Sequence, residues 1–159
     1  MKIHAAVLYA PGIPFAIETL DLAPPQAGEV LVRVAAAGVC HSDWHLMTGA
    51  TQHATPVVPG HEGAGVVVAV GPGVTRVRAG DHVALNWAPN CGACFYCLHE
   101  RPSLCDTYIG PIWAGTMMDG TTRLSKDGAP VYAFSALACF ADHTVVPQEC
   151  CVPLSKDIP

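Results

Sequence analysis

Pro59-Gly60-His61-Glu62-Gly63-Ala64-Gly65 runs without a break into Val66-Val67-Val68-Ala69-Val70 and halts at Gly71-Pro72-Gly73. A short β-branched run bounded by turn formers reads as a strand, here over Gly65 to Val70, and it is far too short to cross a bilayer. Upstream, Glu29-Val30-Leu31-Val32-Arg33-Val34 follows the turn Pro24-Pro25-Gln26-Ala27-Gly28 and predicts a strand over Glu29 to Ala36. Ile3 to Tyr9 predicts another. Downstream, His82 to Leu85 follows Ala79-Gly80-Asp81, and Cys139 to Val146 and Cys151 to Leu154 complete the set. Fifteen Gly and fourteen Pro among 159 residues imply many turns and few long helices. Only Ser42-Asp43-Trp44-His45-Leu46-Met47 reads as helical, with Ser42 as its N-cap. The chain is expected to be mainly β, a small, partly open β-barrel with short helices.

Composition narrows the function classes. Hydrophobic residues make up 51% and charged ones 13%, so a packed core is expected rather than disorder. The net charge is −5, and of the basic residues only Arg76 and Arg78 sit close together. No polybasic face for nucleic acid or an anionic membrane is expected. Pro11 and Gly12 interrupt the N-terminal segment before it can form a signal-peptide core, so the expected location is cytoplasmic. In a reducing compartment eight Cys read as metal ligands or buried thiols rather than disulfides.

The stretch from Pro89 to Pro130 is long and turn-rich, and a loop of that length needs an internal reason. Cys91-Gly92-Ala93-Cys94-Phe95-Tyr96-Cys97, followed by Cys105, supplies one. Three thiolates at three-residue steps converge when the backbone folds back, and the fourth closes a tetrahedron with no open position. That is the arrangement of structural zinc, with an iron–sulfur cluster as the competing occupant. Cys139, Cys150 and Cys151 read as packed thiols.

Cys40 and His61 offer one sulfur and one nitrogen ligand on adjacent loop ends, with carboxylates beside both. Gly60-His61-Glu62-x-x-Gly65, then Gly71 and Val74, resembles the signature of the zinc-containing medium-chain alcohol dehydrogenases. The four-cysteine cluster lies where that family keeps its structural zinc lobe, about residues 89–130. Gly80-Asp81-His82-Val83 and Asp119-Gly120-Thr121-Thr122-Arg123-Leu124 are also similar to family stretches. The resemblance implies a GroES-like catalytic domain over residues 1–159, with zinc held by Cys40 and His61 and with Glu62 near it. It further implies that Asp43 orients the His61 ring, and that Ser42 and His45, three residues apart on one helical face, relay a proton. His41 takes the place of the cofactor-pyrophosphate contact, and Trp87 that of a substrate-pocket aromatic.

The chemistry so implied is oxidation of an alcohol to an aldehyde or ketone with NAD as hydride acceptor. In the family a third protein ligand of the catalytic zinc follows the position of Pro159, ahead of a Rossmann domain. No G-x-G-x-x-G follows a strand here, since Arg76 stands where the third glycine belongs after Gly71-Pro72-Gly73. The NAD-binding domain is therefore expected to be missing from these residues, and the catalytic half to be inactive alone. The competing expectation is a zinc-stabilised module without catalysis. A zinc deaminase fits poorly, because His61 and Glu62 are adjacent and Asn90 rather than Pro precedes Cys91. The expected partner is a small-molecule alcohol or aldehyde, and full-length relatives are expected to be homo-oligomers. The apolar segment from Tyr108 to Met118 is expected to border the pocket and to favour a bulky or aromatic alcohol.

Overall fold

The computed structural model describes residues 1–158. Ten strands build two five-stranded sheets. The first sheet contains β1 (Lys2–Val7), β2 (Ala16–Leu22), β7 (Leu124–Lys126), β8 (Ala129–Ala133) and β4 (Val57–Val58), in that order. The second holds β10 (Cys151–Leu154), β6 (His82–Leu85), β5 (Gly63–Val70), β3 (Glu29–Ala37) and β9 (His143–Pro147). Every ladder is antiparallel except the short β4–β8 pair. The residues just ahead of β9 stitch the sheets together: the Ala6 N–H donates to Phe140 O, and the Asp142 N–H to His4 O. The result is a partly open barrel, as the strand spacing predicts.

β3 is an interior strand of the second sheet, next to its edge strand β9. It pairs β5 on one side and β9 on the other. Its side chains alternate between two cores: Leu31 joins Ile3, Val7, Leu20 and Val145, whereas Val30 and Val32 join Val67, Val83 and Val146. Each fully buried Val or Leu of this kind contributes about 1.5–3 kcal/mol. Register shifts at Leu31/Val32 and Val34/Ala36 bend the β3–β5 ladder, as bulges do when a sheet must curl. Gly65 is required at that bend, because a Cβ there would overlap the Arg33 carbonyl oxygen.

The structure corrects four sequence expectations. The strand foreseen over Cys139 to Val146 begins only at His143. Ahead of it the backbone turns tightly through left-handed Ser135, Ala136 and Ala138, and the Cys139 and Phe140 N–H groups donate to Gly60 O and Pro59 O. Helix α1 is His41–Thr48, and its N-cap is Cys40 rather than Ser42, because Asp43 closes the cap from inside the first turn. The 89–130 stretch is not helix-free. It contains α2 (Phe95–Leu98) and α3 (Asp106–Ala114), which ends on left-handed Gly115. Finally, β2, β4, β7 and β8 lie outside the expected set; β4, β7 and β8 are only two to five residues long, whereas Ile17-Glu18-Thr19-Leu20-Asp21-Leu22 of β2 alternates in sequence. No helix among the described residues is long and apolar enough to cross a membrane.

One buried ion pair crosses the layers. Arg123 donates from Nε and Nη2 to the Glu29 carboxylate at 2.9 and 2.6 Å, and Nη2 also reaches Asp119 at 2.8 Å. Arg123 and Glu29 are both buried. The Arg123 guanidinium, helped by the Thr121 N–H, holds Asp119 down at about 2. This fork ties the start of β3 to the chain entering β7.

Candidate metal centres and substrate cavity

Cys91, Cys94, Cys97 and Cys105 bring their sulfur atoms within 4.8 Å of one another. Zinc–thiolate bonds of about 2.3 Å place the corners of a tetrahedron about 3.8 Å apart. The observed separations are 3.9 Å for Cys91–Cys97, 3.5 Å for Cys94–Cys97 and 3.9 Å for Cys94–Cys105. Thiolates converging on one point fit a single ion, whereas a cluster spreads its cysteines over several irons. The backbone is arranged for negative sulfur. N–H groups of Ala93 and Cys94 donate to Cys91 Sγ at 3.4 and 3.3 Å, and the Cys91 N–H donates to Cys105 Sγ at 3.4 Å. The Thr107 hydroxyl, followed by those N–H donors, pulls the Cys91 thiol down to about 6, while burial pushes Cys97 up to about 11. The four-cysteine cluster fits a structural zinc site.

The second group is Cys40, His61 and Glu62, whose ligand atoms also lie within 4.8 Å of one another. Asp43 assembles it. Its carboxylate accepts from the Cys40 N–H at 3.1 Å, the Gly60 N–H at 3.0 Å and His61 Nδ1 at 3.3 Å. One side chain thereby joins the start of α1 to the loop before β5. Because a carboxylate only accepts, Nδ1 carries the ring proton and Nε2 keeps a free lone pair. The edge-on ring of Phe134, 5.3 Å from His61, fixes the other side of the imidazole. Gly60 sits at φ +89, and a Cβ there would lie 2.6 Å from the Phe140 nitrogen. Only glycine lets the chain turn into His61 at this point. Sulfur, imidazole and carboxylate donors are the types that hold zinc with a position left open.

These donors face a cavity of about 310 Å³. Cys40, Ser42, His61 and Glu62 form its polar wall; Trp87, Ile112, Trp113 and Phe134 form the apolar one. Ser42 Oγ is 3.7 Å from Cys40 Sγ, at the junction of the two walls. Trp87 and, from the Tyr108–Met118 segment, Ile112 and Trp113 line the cavity. His41 and His45 do not line it: both are exposed on α1, with ring centres 4.5 Å apart. Thr51, Phe134 and Ser135 also line the cavity, and the sequence analysis omits all three. The positions of Phe134 and Ser135 depend on the left-handed turn at 135–138, for which no glycine or asparagine gives a signal; Thr51 enters from the loop after α1. The packed-thiol reading of the remaining cysteines holds, since Cys139, Cys150 and Cys151 are buried. Burial pushes Cys139 and Cys151 up to about 12.

A curled β-barrel with a four-thiolate lobe and a mixed-donor group beside an apolar cavity defines a zinc-type dehydrogenase catalytic domain. Residues 26–156 match the alcohol dehydrogenase GroES-like domain, and the chain belongs to that family. Over all 159 residues it is 45% identical to the NDMA-dependent alcohol dehydrogenase of Amycolatopsis methanolica, covering 43% of that protein. Over 149 residues, 93% of this chain, it is 46% identical to an S-(hydroxymethyl)glutathione dehydrogenase of Escherichia coli, covering 40% of it. Among solved structures, an alcohol dehydrogenase zinc-binding domain protein from Burkholderia ambifaria superposes with a TM-score of 0.93 at 37% identity. Benzyl alcohol dehydrogenase from Acinetobacter calcoaceticus superposes at 0.90 with 34% identity. Both matches cover 100% of this chain, but only 43% and 42% of those chains. The chain thus spans less than half the length of the relatives it matches.

Proposed function

We propose that these residues are the zinc-carrying catalytic half of an NAD-dependent alcohol dehydrogenase that oxidises a bulky or aromatic primary or secondary alcohol. The observation that carries this reading is the convergence of Cys40, His61 and Glu62 on an apolar cavity, with Asp43 locking the ring of His61. Cys40 and His61 would hold the zinc, which when bound would supply Lewis acidity toward an alcohol hydroxyl near neutral pH. NAD supplies the hydride acceptor, whose chemistry is the cofactor's own.

The protein's residues orient the substrate and move the proton. Trp87, Ile112, Trp113 and Phe134 seat the apolar body of the alcohol and exclude water from the reacting end. Ser42 Oγ, beside Cys40, accepts the hydroxyl proton. His45 passes it to solvent, and its exposure suits that exit. His41, on the same helix turn, would contact the pyrophosphate of the bound cofactor. Among the described residues the only parallel pair is β4–β8, and no βαβ nucleotide unit is present. These residues alone are accordingly expected to give no alcohol-dependent NADH. Eight unpaired cysteines agree with a cytoplasmic setting.

The test is cobalt substitution. With the four-cysteine site filled by zinc, added Co²⁺ is expected to give a thiolate charge-transfer band. That band should vanish in Cys40→Ser and His61→Ala and survive in Cys150→Ser. If no such band forms and only one metal binds per chain, the zinc-stabilised module without catalysis is the better account.

A further inference from the structure

His41 and His45 occupy positions i and i+4 of α1, a spacing that sets two side chains one turn apart on a single helix face. Both are exposed. Their ring centres are 4.5 Å apart and their planes tilt by 43°. The histidine rings engaged by protein groups among the described residues are those of His4, His53, His61, His99 and His143. The two rings on α1 therefore face solvent with their nitrogen lone pairs uncommitted.

We propose that His41 and His45 form a di-imidazole site for a divalent transition-metal ion, separate from both cysteine-containing groups. The ring separation favours a particular coordination angle. With metal–nitrogen bonds of about 2.0–2.1 Å, each ring centre lies roughly 3.2 Å from the ion. Two rings at a right angle then have centres about 4.5 Å apart, and two rings at the tetrahedral angle about 5.2 Å apart. The observed 4.5 Å is the separation a right angle gives when one nitrogen of each ring turns toward a shared ion. Right-angled nitrogen ligands suit Ni²⁺ and Cu²⁺ in octahedral or tetragonal sites better than tetrahedral Zn²⁺. Water completes the coordination from the solvent side. Because one helix turn holds both rings, the second binds at high effective concentration, which raises affinity well above that of a lone surface histidine.

The site rests on the exposure and spacing of the two rings alone. On the reading given above, the same rings contact the nucleotide phosphate and pass the proton to solvent, so an ion between them would oppose both duties.

Calorimetric titration of the zinc-saturated chain with Ni²⁺ tests the proposal, because zinc already occupies the thiolates. One additional Ni²⁺ site per chain is expected, at a stoichiometry unaffected by further zinc at the thiolates. His41→Gln and His45→Gln should each weaken Ni²⁺ binding by on the order of 10²-fold, while His143→Gln leaves it unchanged. Undiminished Ni²⁺ affinity in either α1 variant, or an equal loss in His143→Gln, overturns the proposal. Unaltered zinc content in each variant verifies that the fold is intact. With no alcohol or nucleotide present, a negative result leaves the oxidoreductase reading standing.

Discussion

Asp43 is the residue on which the mixed-donor site depends. It is buried and accepts three hydrogen bonds that join helix α1 to the loop carrying His61. Asp43→Ala would leave two backbone N–H groups and an imidazole N–H without their acceptor. A loss on the order of 3 kcal/mol is expected, measured as a shift of the urea midpoint at unchanged slope. Because the His61 ring also loses its orienting partner, Co²⁺ affinity at the Cys40–His61 group should fall about 10–100-fold. A variant that loses stability but keeps its cobalt affinity would show that Asp43 serves the fold alone. That Cys40, His61 and Asp43 come together in one group is legible in sequence through the family motif. Phe134 and Ser135 are not, because they reach the cavity through a turn that three non-glycine residues hold in the left-handed region.

At the scale of elements, the Arg123 fork makes a prediction about acid. Asp119 is held at about 2 against an ordinary value of 3.8. Its contribution to stability is complete above the ordinary value and is lost as pH falls through the folded one. Unfolding monitored between pH 4 and pH 2 should therefore steepen, and Asp119→Asn should flatten that slope. Arg123→Met is the more severe change, since it leaves the buried Glu29 carboxylate unpaired. A cost of about 3–5 kcal/mol is expected by denaturant titration. Elements differ in how openly the sequence declares them. β3 and β5 announce themselves by β-branched runs between turns. Helix α3 hides because Gly110 and Pro111 lie inside it, and its packing against the cysteine cluster helps to sustain it. The missed β2 is an oversight of reading, since its alternation is present in the sequence.

On the scale of the whole molecule, the barrel and the cysteine lobe have cores of different kinds. The barrel buries two aliphatic clusters. The lobe buries little more than Cys105, Tyr108 and Ile112, with the other three thiols packed against them. Its cohesion therefore depends on what the sulfurs hold. Zinc removal by a strong chelator is expected to melt α2 and α3 while the barrel stays folded. Circular dichroism should lose its small helical signal before the β signal changes, and limited proteolysis should cut first between residues 92 and 114. A single cooperative loss of both signals would show that the lobe is integral to the barrel. While α3 is folded, the Tyr108 hydroxyl, donating to Glu149 at 2.8 Å, ties the lobe to the turn between β9 and β10.

The alternation of β3 between two cores bears on how the barrel opens. Val30 and Val32 are anchored in one cluster and Leu31 in the other, so displacing β3 exposes both clusters at once. Partial opening of one layer is thereby suppressed, and the two layers should behave as a single cooperative unit. In native-state deuterium exchange, the amides of Val30 to Val32 should be among the last to exchange, released only with global unfolding. Strand order adds a kinetic consequence, since β3 pairs with β9 more than a hundred residues later in the chain. Loop closure over that distance makes folding slow relative to helical domains of the same length.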